Sequence, residues 1–187
     1  TVTDANGFYS FTGLVPGSYI IEVVRPAAFA SFTPKNQGAD TAADSNITPA
    51  SSRSDLTTLI SGENNMTVDA GMYKFASLGD FVWDDLNRNG IQDNGEPGVP
   101  GVTVNLYSGT GTIVGTVLTD SNGYYLFDNL VPGDYSVEII KPAGYGFSPQ
   151  DQGGDDAVDS DAGIDGKMAV TTLEPGENDL TWDAGIY

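Results

Sequence analysis

Oxygen-bearing side chains recur between positions 85 and 96 with a spacing that fits the ligands of a hard cation. An EF-hand type of calcium loop takes oxygen ligands from positions 1, 3, 5, 7, 9 and 12 and turns at a glycine in position 6. All of these positions are filled here, in the order Asp85, Asn87, Asn89, Gly90, Ile91 (through its backbone carbonyl), Asp93 and Glu96. The spacing predicts a calcium site. The alternative is a solvated polar loop, because Asn, Asp and Gly are ordinary turn residues.

The segments that flank this loop carry strand patterns and not helix patterns. Residues 78–83 are rich in apolar and aromatic side chains, and after the loop Val102, Val104 and Leu106 alternate with polar residues. Alternation with a period of two is typical of a half-buried strand. A calcium loop between two strands indicates a structural metal site in an all-β module rather than a helical calcium sensor.

The composition excludes several kinds of chemistry. The chain has no cysteine and no histidine, so it has no disulfide framework and lacks the commonest general base and transition-metal ligand. It also has no Gly-rich phosphate loop opening a helix and no apolar run long enough to span a membrane. Paired carboxylates could serve a glycosidase, but the pairs in the calcium loop are already assigned to a metal. We therefore expect no enzyme and no membrane insertion.

Acidic residues outnumber basic ones, mainly in the second part of the chain. The formal net charge is −19; residues from 78 onward contribute 19 acids against 3 bases (−16), and residues 1–77 contribute 7 against 4 (−3). Such a surface repels nucleic acid. Many of the acids lie at 84–96 and 151–165. This clustering favours metal sites over a salt-adapted surface, where acids would be scattered.

The chain contains two copies of one pattern, about 115 residues apart. Segments 3–11, 14–19, 22–26, 37–40 and 69–73 return as 119–127, 130–135, 138–142, 152–155 and 183–187. We predict a complete domain at 78–187, a linker at 74–77 and an incomplete domain at 1–73, which lacks everything equivalent to residues 78–116. Either upstream sequence or a neighbouring subunit could cover the exposed edges, and the sequence leaves both possibilities open.

Short strands separated by turn signals are expected throughout the complete copy. Their expected bounds are 78–83, 102–107, 112–119, 123–128, 134–141, 168–173 and 179–187. Asp120 and Asn122 are expected to close a hairpin turn. This pattern predicts an all-β fold of tandem Ig-like β-sandwiches, the first incomplete at its N-terminus.

Several motifs together resemble the SdrD B-like domain, a Cna-B-type, prealbumin-like β-sandwich of bacterial cell-surface adhesins. They are Gly79-Asp-Phe-Val-Trp-Asp-Asp85 with the loop to Glu96, Pro97-Gly-Val-Pro-Gly-Val102, Thr119-Asp-Ser-Asn-Gly-Tyr124, Leu130-Val-Pro-Gly-Asp-Tyr135 and Asp159-Ser-Asp161. The resemblance covers 78–187 and the corresponding part of 1–73. It implies a secreted protein at the bacterial cell surface, in which tandem domains bind calcium and act as a stalk.

The resemblance also implies further calcium ligands near strand ends and in the acidic loop. The candidates are Asp80, Asp84, Asp155, Asp156, Asp159 and Asp161; the alternative for them is a disordered polar loop. Some Cna-B relatives form a Lys–Asn isopeptide bond. This chain does not fit that pattern, because strand 78–83 has no lysine and the last strand has Asp69 or Asp183 where the asparagine is expected.

The leading functional hypothesis is a calcium-stabilised spacer whose partners are neighbouring B-type repeats of the same protein. A first alternative is a filament subunit, in which neighbouring subunits complete the first repeat by strand addition. A second is an adhesin module that binds carbohydrate or protein through aromatics such as Tyr145 and Phe147, although we expect these to cover the end of the sandwich.

Overall fold

A computed structural model describes all residues, 1–187, and its regular elements are β-strands. The chain divides into two compact units, Thr1–Tyr73 and Lys74–Tyr187. The first unit contains β1 (Gly17–Tyr19), β2 (Ser31–Phe32), β3 (Thr57–Leu59) and β4 (Met72–Tyr73). The second contains β5 (Ala76–Asp84), β6 (Thr103–Ser108), β7 (Ile113–Leu118), β8 (Tyr124–Leu130), β9 (Gly133–Ile140), β10 (Thr171–Leu173), β11 (Asn178–Asp179) and β12 (Ala184–Ile186). No helix is long and apolar enough to cross a bilayer.

Two strands, β5 and β6, lie at the centre of the second unit, one in each sheet. Strand β6 pairs antiparallel with β7 on one side and with β9 on the other, and β10 extends this sheet beyond β9. Strand β5 pairs antiparallel with β8 and parallel with β11 and β12. Every other strand of the second unit except β10 therefore pairs directly with β5 or with β6.

The sequence patterns of β5 and β6 suit these positions. Val104 and Leu106 alternate with less buried residues along β6, so that one face of the strand points into the core. In β5 the apolar residues are nearly continuous, and Leu78, Val82 and Trp83 are all fully buried. A strand that is buried on both faces needs such a run of apolar residues, because neither face meets water.

The first unit keeps the outer strands of this arrangement without the central ones. Strand β1 pairs antiparallel with β3, with Gly17 opposite Leu59. Its counterpart in the second unit is the pairing of β9 with β10, in which Gly133 lies opposite Leu173. Strands β2 and β4 form a second short pair. The registers agree, yet β1 has three residues and β9 has eight. Strand β1 is shorter because no β6 lies beside it.

The all-β sandwich predicted from the sequence is confirmed, with differences at the strand ends. Strand β5 begins at Ala76, inside the predicted linker. The predicted strand 179–187 is interrupted, and its two pieces, β11 and β12, pair separately with β5. The reason lies in the intervening residues: the Trp182 indole and the Thr181 hydroxyl both donate to Asp179, which folds this segment on itself. The Asp120 carboxylate accepts from the Asn122 and Tyr124 amides and closes the predicted turn.

The two copies offer a matched test of how much the central strands contribute. Phe127 on β8 is 6% exposed, whereas its counterpart Phe11 is 50% exposed. Phe127→Ala should destabilise the second unit by about 3–5 kcal/mol, because it leaves a cavity, and Phe11→Ala should cost well below about 2 kcal/mol in the first.

Urea unfolding followed in parallel by tryptophan fluorescence and far-UV circular dichroism would measure both effects. Both tryptophans, Trp83 and Trp182, belong to the second unit, so their fluorescence reports that unit alone. Equal losses for the two variants would contradict the assignment of Phe11 to an open face.

Candidate metal centre

The loop that follows β5 is folded around the carboxylate of Asp85, which is fully buried. One of its oxygens accepts hydrogen bonds from the backbone amides of Arg88 (2.6 Å) and Asn89 (3.2 Å). The other accepts from the amide of Gly90 at 2.8 Å. Asp85 therefore fixes the first turn of the loop, as a residue at position 1 of a calcium loop must.

The remaining side chains of the loop converge on Asp93. The side-chain amides of Asn87 and Asn89 both donate to one Asp93 oxygen, at 2.7 and 2.8 Å. The Glu96 carboxylate closes the loop, since its oxygens accept from the backbone amides of Leu86 (2.9 Å) and Asp93 (3.0 Å). The structure thus brings the side chains of Asn87, Asn89 and Asp93 together, while Asp85 and Glu96 hold the backbone of the loop. An asparagine amide can present oxygen in place of nitrogen by a half-turn, so these side chains can also offer oxygens to a cation.

The acidic loop 151–161 packs directly against loop 85–96. The Gln92 amide donates to the Val158 carbonyl (2.7 Å), and the Ser160 amide donates to the Gly90 carbonyl (3.0 Å). Gly90 has a φ of 80°, and a Cβ at this position would lie 2.2 Å from the Pro149 carbonyl oxygen. A glycine is therefore required at position 90 both by its backbone conformation and by the close approach of the second loop.

Three carboxylates of the acidic loop form a group that could hold a metal ion. Ligand atoms of Asp156, Asp159 and Asp161 lie within 4.8 Å of one another. Asp156 is exposed, while Asp159 and Asp161 are 6% and 9% exposed. One buried oxygen of Asp159 has no hydrogen-bond partner. A buried, unpaired carboxylate oxygen is costly, so this arrangement requires either a proton or a cation.

Asp183, which lies just before β12, extends the group into the protein interior. Its side chain is fully buried, and neither of its oxygens has a hydrogen-bond partner. Its backbone amide donates to Asp161 at 2.7 Å, which ties the two residues together. Two acids, Asp161 and Asp183, are thus buried next to each other with no basic residue paired to either.

Burial is the main cause of the raised pKa values of Asp161 and Asp183. Burial, reinforced by the charges of Asp80 and Asp161, raises the pKa of Asp183 to about 9. The Phe81 amide opposes this rise, although it does not reach hydrogen-bond geometry with either oxygen. Burial, with added repulsion from Asp156 and Asp159, raises the pKa of Asp161 to about 7. Without a cation, the raised pKa of Asp183 therefore favours its protonated form at neutral pH.

Three other predicted ligands, Asp80, Asp84 and Asp155, lie outside the group of Asp156, Asp159 and Asp161. Asp80, on β5, acts on Asp183 through its charge, and its own pKa is raised by burial. Asp84 lies on the same strand with its backbone amide bonded to the Pro97 carbonyl, and it is not part of the three-carboxylate group. Asp155 is outside the group as well; its side chain accepts from the Ala157 amide within a local turn.

The sequence comparison agrees with this architecture. A family model for the SdrD B-like domain matches residues 1–72 and again residues 76–186. The chain belongs to the SdrD B-like domain family. The resemblance inferred from the motifs is thereby confirmed.

Curated relatives and solved structures with similarity to this SdrD B-like chain are longer proteins. The chain is 40% identical over 190 residues to serine-aspartate repeat-containing protein F of Staphylococcus epidermidis, covering 100% of the chain and 11% of that protein. It is 42% identical over 191 residues to serine-aspartate repeat-containing protein C of Staphylococcus aureus, covering 100% and 18%. It thus spans less than a fifth of either relative.

Two solved structures are more distant. A minor pilin of Streptococcus agalactiae is 16% identical, with a TM-score of 0.39 over 71% of this chain and 59% of the pilin. The TIE protein of Bacillus anthracis is 15% identical, with a TM-score of 0.45 over 98% and 27%. Both scores are too low to support a conclusion about this SdrD B-like chain.

Asp183 is the residue of the site that the sequence motifs did not indicate. From the sequence, Asp183 is noted only because it stands where isopeptide-forming relatives have an asparagine. A single acid on a strand, without other oxygen-bearing residues at regular spacing, does not indicate a metal ligand. Its signal is the repeat itself, since Asp69-Ala-Gly in the first SdrD B-like copy returns as Asp183-Ala-Gly in the second. The Asp69 amide likewise donates to a side-chain oxygen, that of Asn46, at 2.7 Å.

The raised pKa values predict how the stability of the second SdrD B-like unit depends on pH. An unfolded aspartate loses its proton near pH 3.9, whereas Asp161 and Asp183 hold theirs up to about 7 and about 9 in the folded chain. Between these values the folded state binds more protons than the unfolded state, so stability falls as pH rises from about 4 to about 9.

Urea midpoints from tryptophan fluorescence in chelator, measured from pH 5 to pH 8, would show this fall. Asp183→Asn keeps the size of the side chain without its charge, so it should reduce the fall and leave the part that Asp161 contributes below about pH 7. Asp128→Asn, at an exposed position on β8, is the matched control and should leave the dependence unchanged. A metal-free stability that rises over this range would contradict the assignment.

Proposed function

We propose that this chain is a calcium-stabilised spacer from a protein of the bacterial cell surface. The observation that carries the proposal is the burial of Asp159, Asp161 and Asp183 with no basic partner, and with unpaired oxygens on Asp159 and Asp183. Membership of the SdrD B-like family supports a place within a longer surface protein. The relatives named above are long repeat-containing proteins, and this chain spans a small part of each.

The residues present fit calcium better than other metals. The available ligands are carboxylate, amide and backbone carbonyl oxygens, and the chain has neither cysteine nor histidine. Calcium prefers such oxygen ligands in flexible loops, whereas zinc and copper favour nitrogen or sulfur. The loop 85–96 would hold one ion through Asp85, Asn87, Asn89, Ile91, Asp93 and Glu96. The acidic group would hold another through Asp156, Asp159 and Asp161, beside Asp183.

Calcium would supply the positive charge that these buried acids lack. Asp161 and Asp183 would then release their protons, since an opposite charge nearby favours the ionised form. The two loops are already joined by the backbone bonds of Gly90 and Gln92. Ions in both loops would therefore clamp the C-terminal end of β5 to the segment that precedes β12.

A spacer explains the surface better than a binding or catalytic module. Tyr145 and Phe147, the candidate binding aromatics, are partly buried and pack against the core. The carboxylates that lie close together are those assigned to calcium. We therefore propose a structural role, with neighbouring repeats of the same protein as partners, in an extracellular setting where calcium is abundant.

The first test is the effect of calcium on the stability of the second unit. By mass action, a site with a Kd of about 10⁻⁵ M would add about 2.7 kcal/mol in about 1 mM calcium, and a site of about 10⁻³ M would add about 0.4 kcal/mol. Urea unfolding by tryptophan fluorescence in calcium and in chelator measures the difference.

Asp159→Asn should reduce the calcium increment. Asp165→Asn, whose position is exposed and outside the carboxylate group, should retain it. Identical midpoints in calcium and chelator for the unmodified chain would refute the proposal.

The second test separates two roles of Glu96. Glu96→Gln keeps one of the two oxygens that accept backbone bonds, so it should cost about 1 kcal/mol in chelator. In calcium the loss should be larger, because the bidentate charge at position 12 is gone. Glu177→Gln is the control, since Glu177 makes a similar bond to the Glu174 amide away from both loops and should cost the same in both buffers. Equal losses of Glu96→Gln in calcium and chelator would mean that Glu96 only holds the loop backbone.

A further inference from the structure

The chain contains four Asn-Gly pairs, which share one intrinsic reactivity. They are Asn6-Gly7, Asn89-Gly90, Asn94-Gly95 and Asn122-Gly123. In such a pair the backbone nitrogen of the glycine can attack the side-chain carbonyl of the asparagine, because glycine has no Cβ to hinder the approach. The attack needs a glycine nitrogen that is not held in a hydrogen bond and a peptide that has room to move. The structure therefore determines which of the four pairs reacts.

Two of the pairs lie in turns that hold the glycine nitrogen. The Gly7 amide donates to the Asp4 carbonyl at 3.1 Å, and the Gly123 amide donates to the Asp120 carbonyl at 3.2 Å. A nitrogen in such a bond attacks only after the turn has opened, and local opening costs free energy. Both pairs are therefore protected.

The pair in the first half of loop 85–96 is protected more strongly. Gly90 is buried, and its amide donates to the Asp85 carboxylate at 2.8 Å. The Asn89 side chain is also held, because its oxygen accepts from the Ile91 amide at 2.8 Å and its nitrogen donates to Asp93 at 2.8 Å. Neither reacting group of this pair can move without breaking bonds of the loop.

The fourth pair, Asn94-Gly95, has no such restraint. Both residues are exposed, and neither the Gly95 amide nor the Asn94 side chain has a hydrogen-bond partner. Gly95 has a φ of 101°, and a Cβ at this position would meet no atom within 4 Å, so the space beside the peptide is open. The two reacting groups can therefore meet without first losing a bond of their own.

We propose that Asn94 is a site of spontaneous deamidation. The Gly95 backbone nitrogen bonds to the Asn94 side-chain carbonyl carbon. Its proton passes to the side-chain nitrogen, which leaves as ammonia. Water then opens the resulting cyclic imide at either of its carbonyls. One opening gives aspartate, and the other gives isoaspartate, in which the main chain runs through the side-chain carbon.

The products change the closing end of loop 85–96. Either product adds a negative charge between Asp93 and Glu96. Isoaspartate also adds a carbon to the main chain within the turn that the Glu96 amide closes on the Asp93 carbonyl at 3.2 Å. The same turn is held by the Asp93 amide, which donates to the Glu96 carboxylate at 3.0 Å. We therefore expect isoaspartate to weaken this turn, so that the second unit loses stability as the protein ages.

The test incubates the full chain in chelator at neutral pH and follows it by peptide mapping, with fragmentation that assigns each asparagine. Asn94 should convert roughly fivefold faster or more than Asn6, Asn89 or Asn122, since each of those pairs must first lose the net contribution of a hydrogen bond. Asn94→Gln should remove most of the conversion, because glutamine would have to close a larger ring. Asn122→Gln is the matched control and should leave the conversion at Asn94 unchanged.

The effect on the loop is measured on the same samples by urea unfolding with tryptophan fluorescence. The midpoint should fall with incubation time for the unmodified chain and for Asn122→Gln, and it should stay constant for Asn94→Gln. Equal conversion at all four pairs, or conversion mainly at Asn89 or Asn122, would overturn the proposal. Conversion at Asn94 with an unchanged midpoint would refute its effect on the loop. Because every sample is in chelator, these results do not depend on whether the loop binds calcium.

Discussion

The burial of negative charge without a counter-charge is the constraint around which the second unit is organised. Asp161 and Asp183 are held next to each other inside the protein, and no lysine or arginine pairs with either. Desolvation of an isolated carboxylate is so unfavourable that the group must take a proton or a cation. Further acids lie near the pair: the acidic loop supplies Asp156 and Asp159, and β5 supplies Asp80.

The comparison of the two copies shows how much a sheet depends on its central strand. With β5 and β6 present, their neighbours form strands of seven and eight residues and bury Phe127 and Val137. Without them, the same sequence pattern gives a three-residue strand and an exposed Phe11. The hydrogen bonds of the Tyr9 and Tyr19 hydroxyls have counterparts at Tyr125 and Tyr135 in the second copy. The short outer pairings therefore form without the central strands, while the extended strands require the pairing that the central strands provide.

Sequence patterns were sufficient where an element depends on local spacing, since alternation located β6 and β9. The spacing of loop 85–96 predicts its calcium ligands in the same way, because they follow one another within twelve positions. They were insufficient where distant segments meet. Asp183 gives no local signal, because its partner Asp161 lies 22 residues earlier and on another segment. The interruption between β11 and β12 also escaped the pattern, since it depends on the side chain of Asp179 bonding to Thr181 and Trp182.

A crystal structure of the calcium-loaded chain, with anomalous scattering recorded to locate calcium, would test whether these buried acids bind the ion. We expect one calcium peak within loop 85–96. We expect another in contact with Asp159 and Asp161, at about 2.3–2.6 Å from their oxygens. A structure with no calcium near Asp159, Asp161 or Asp183, in which protonated carboxyls pair with each other, would show that protons and not calcium neutralise the group.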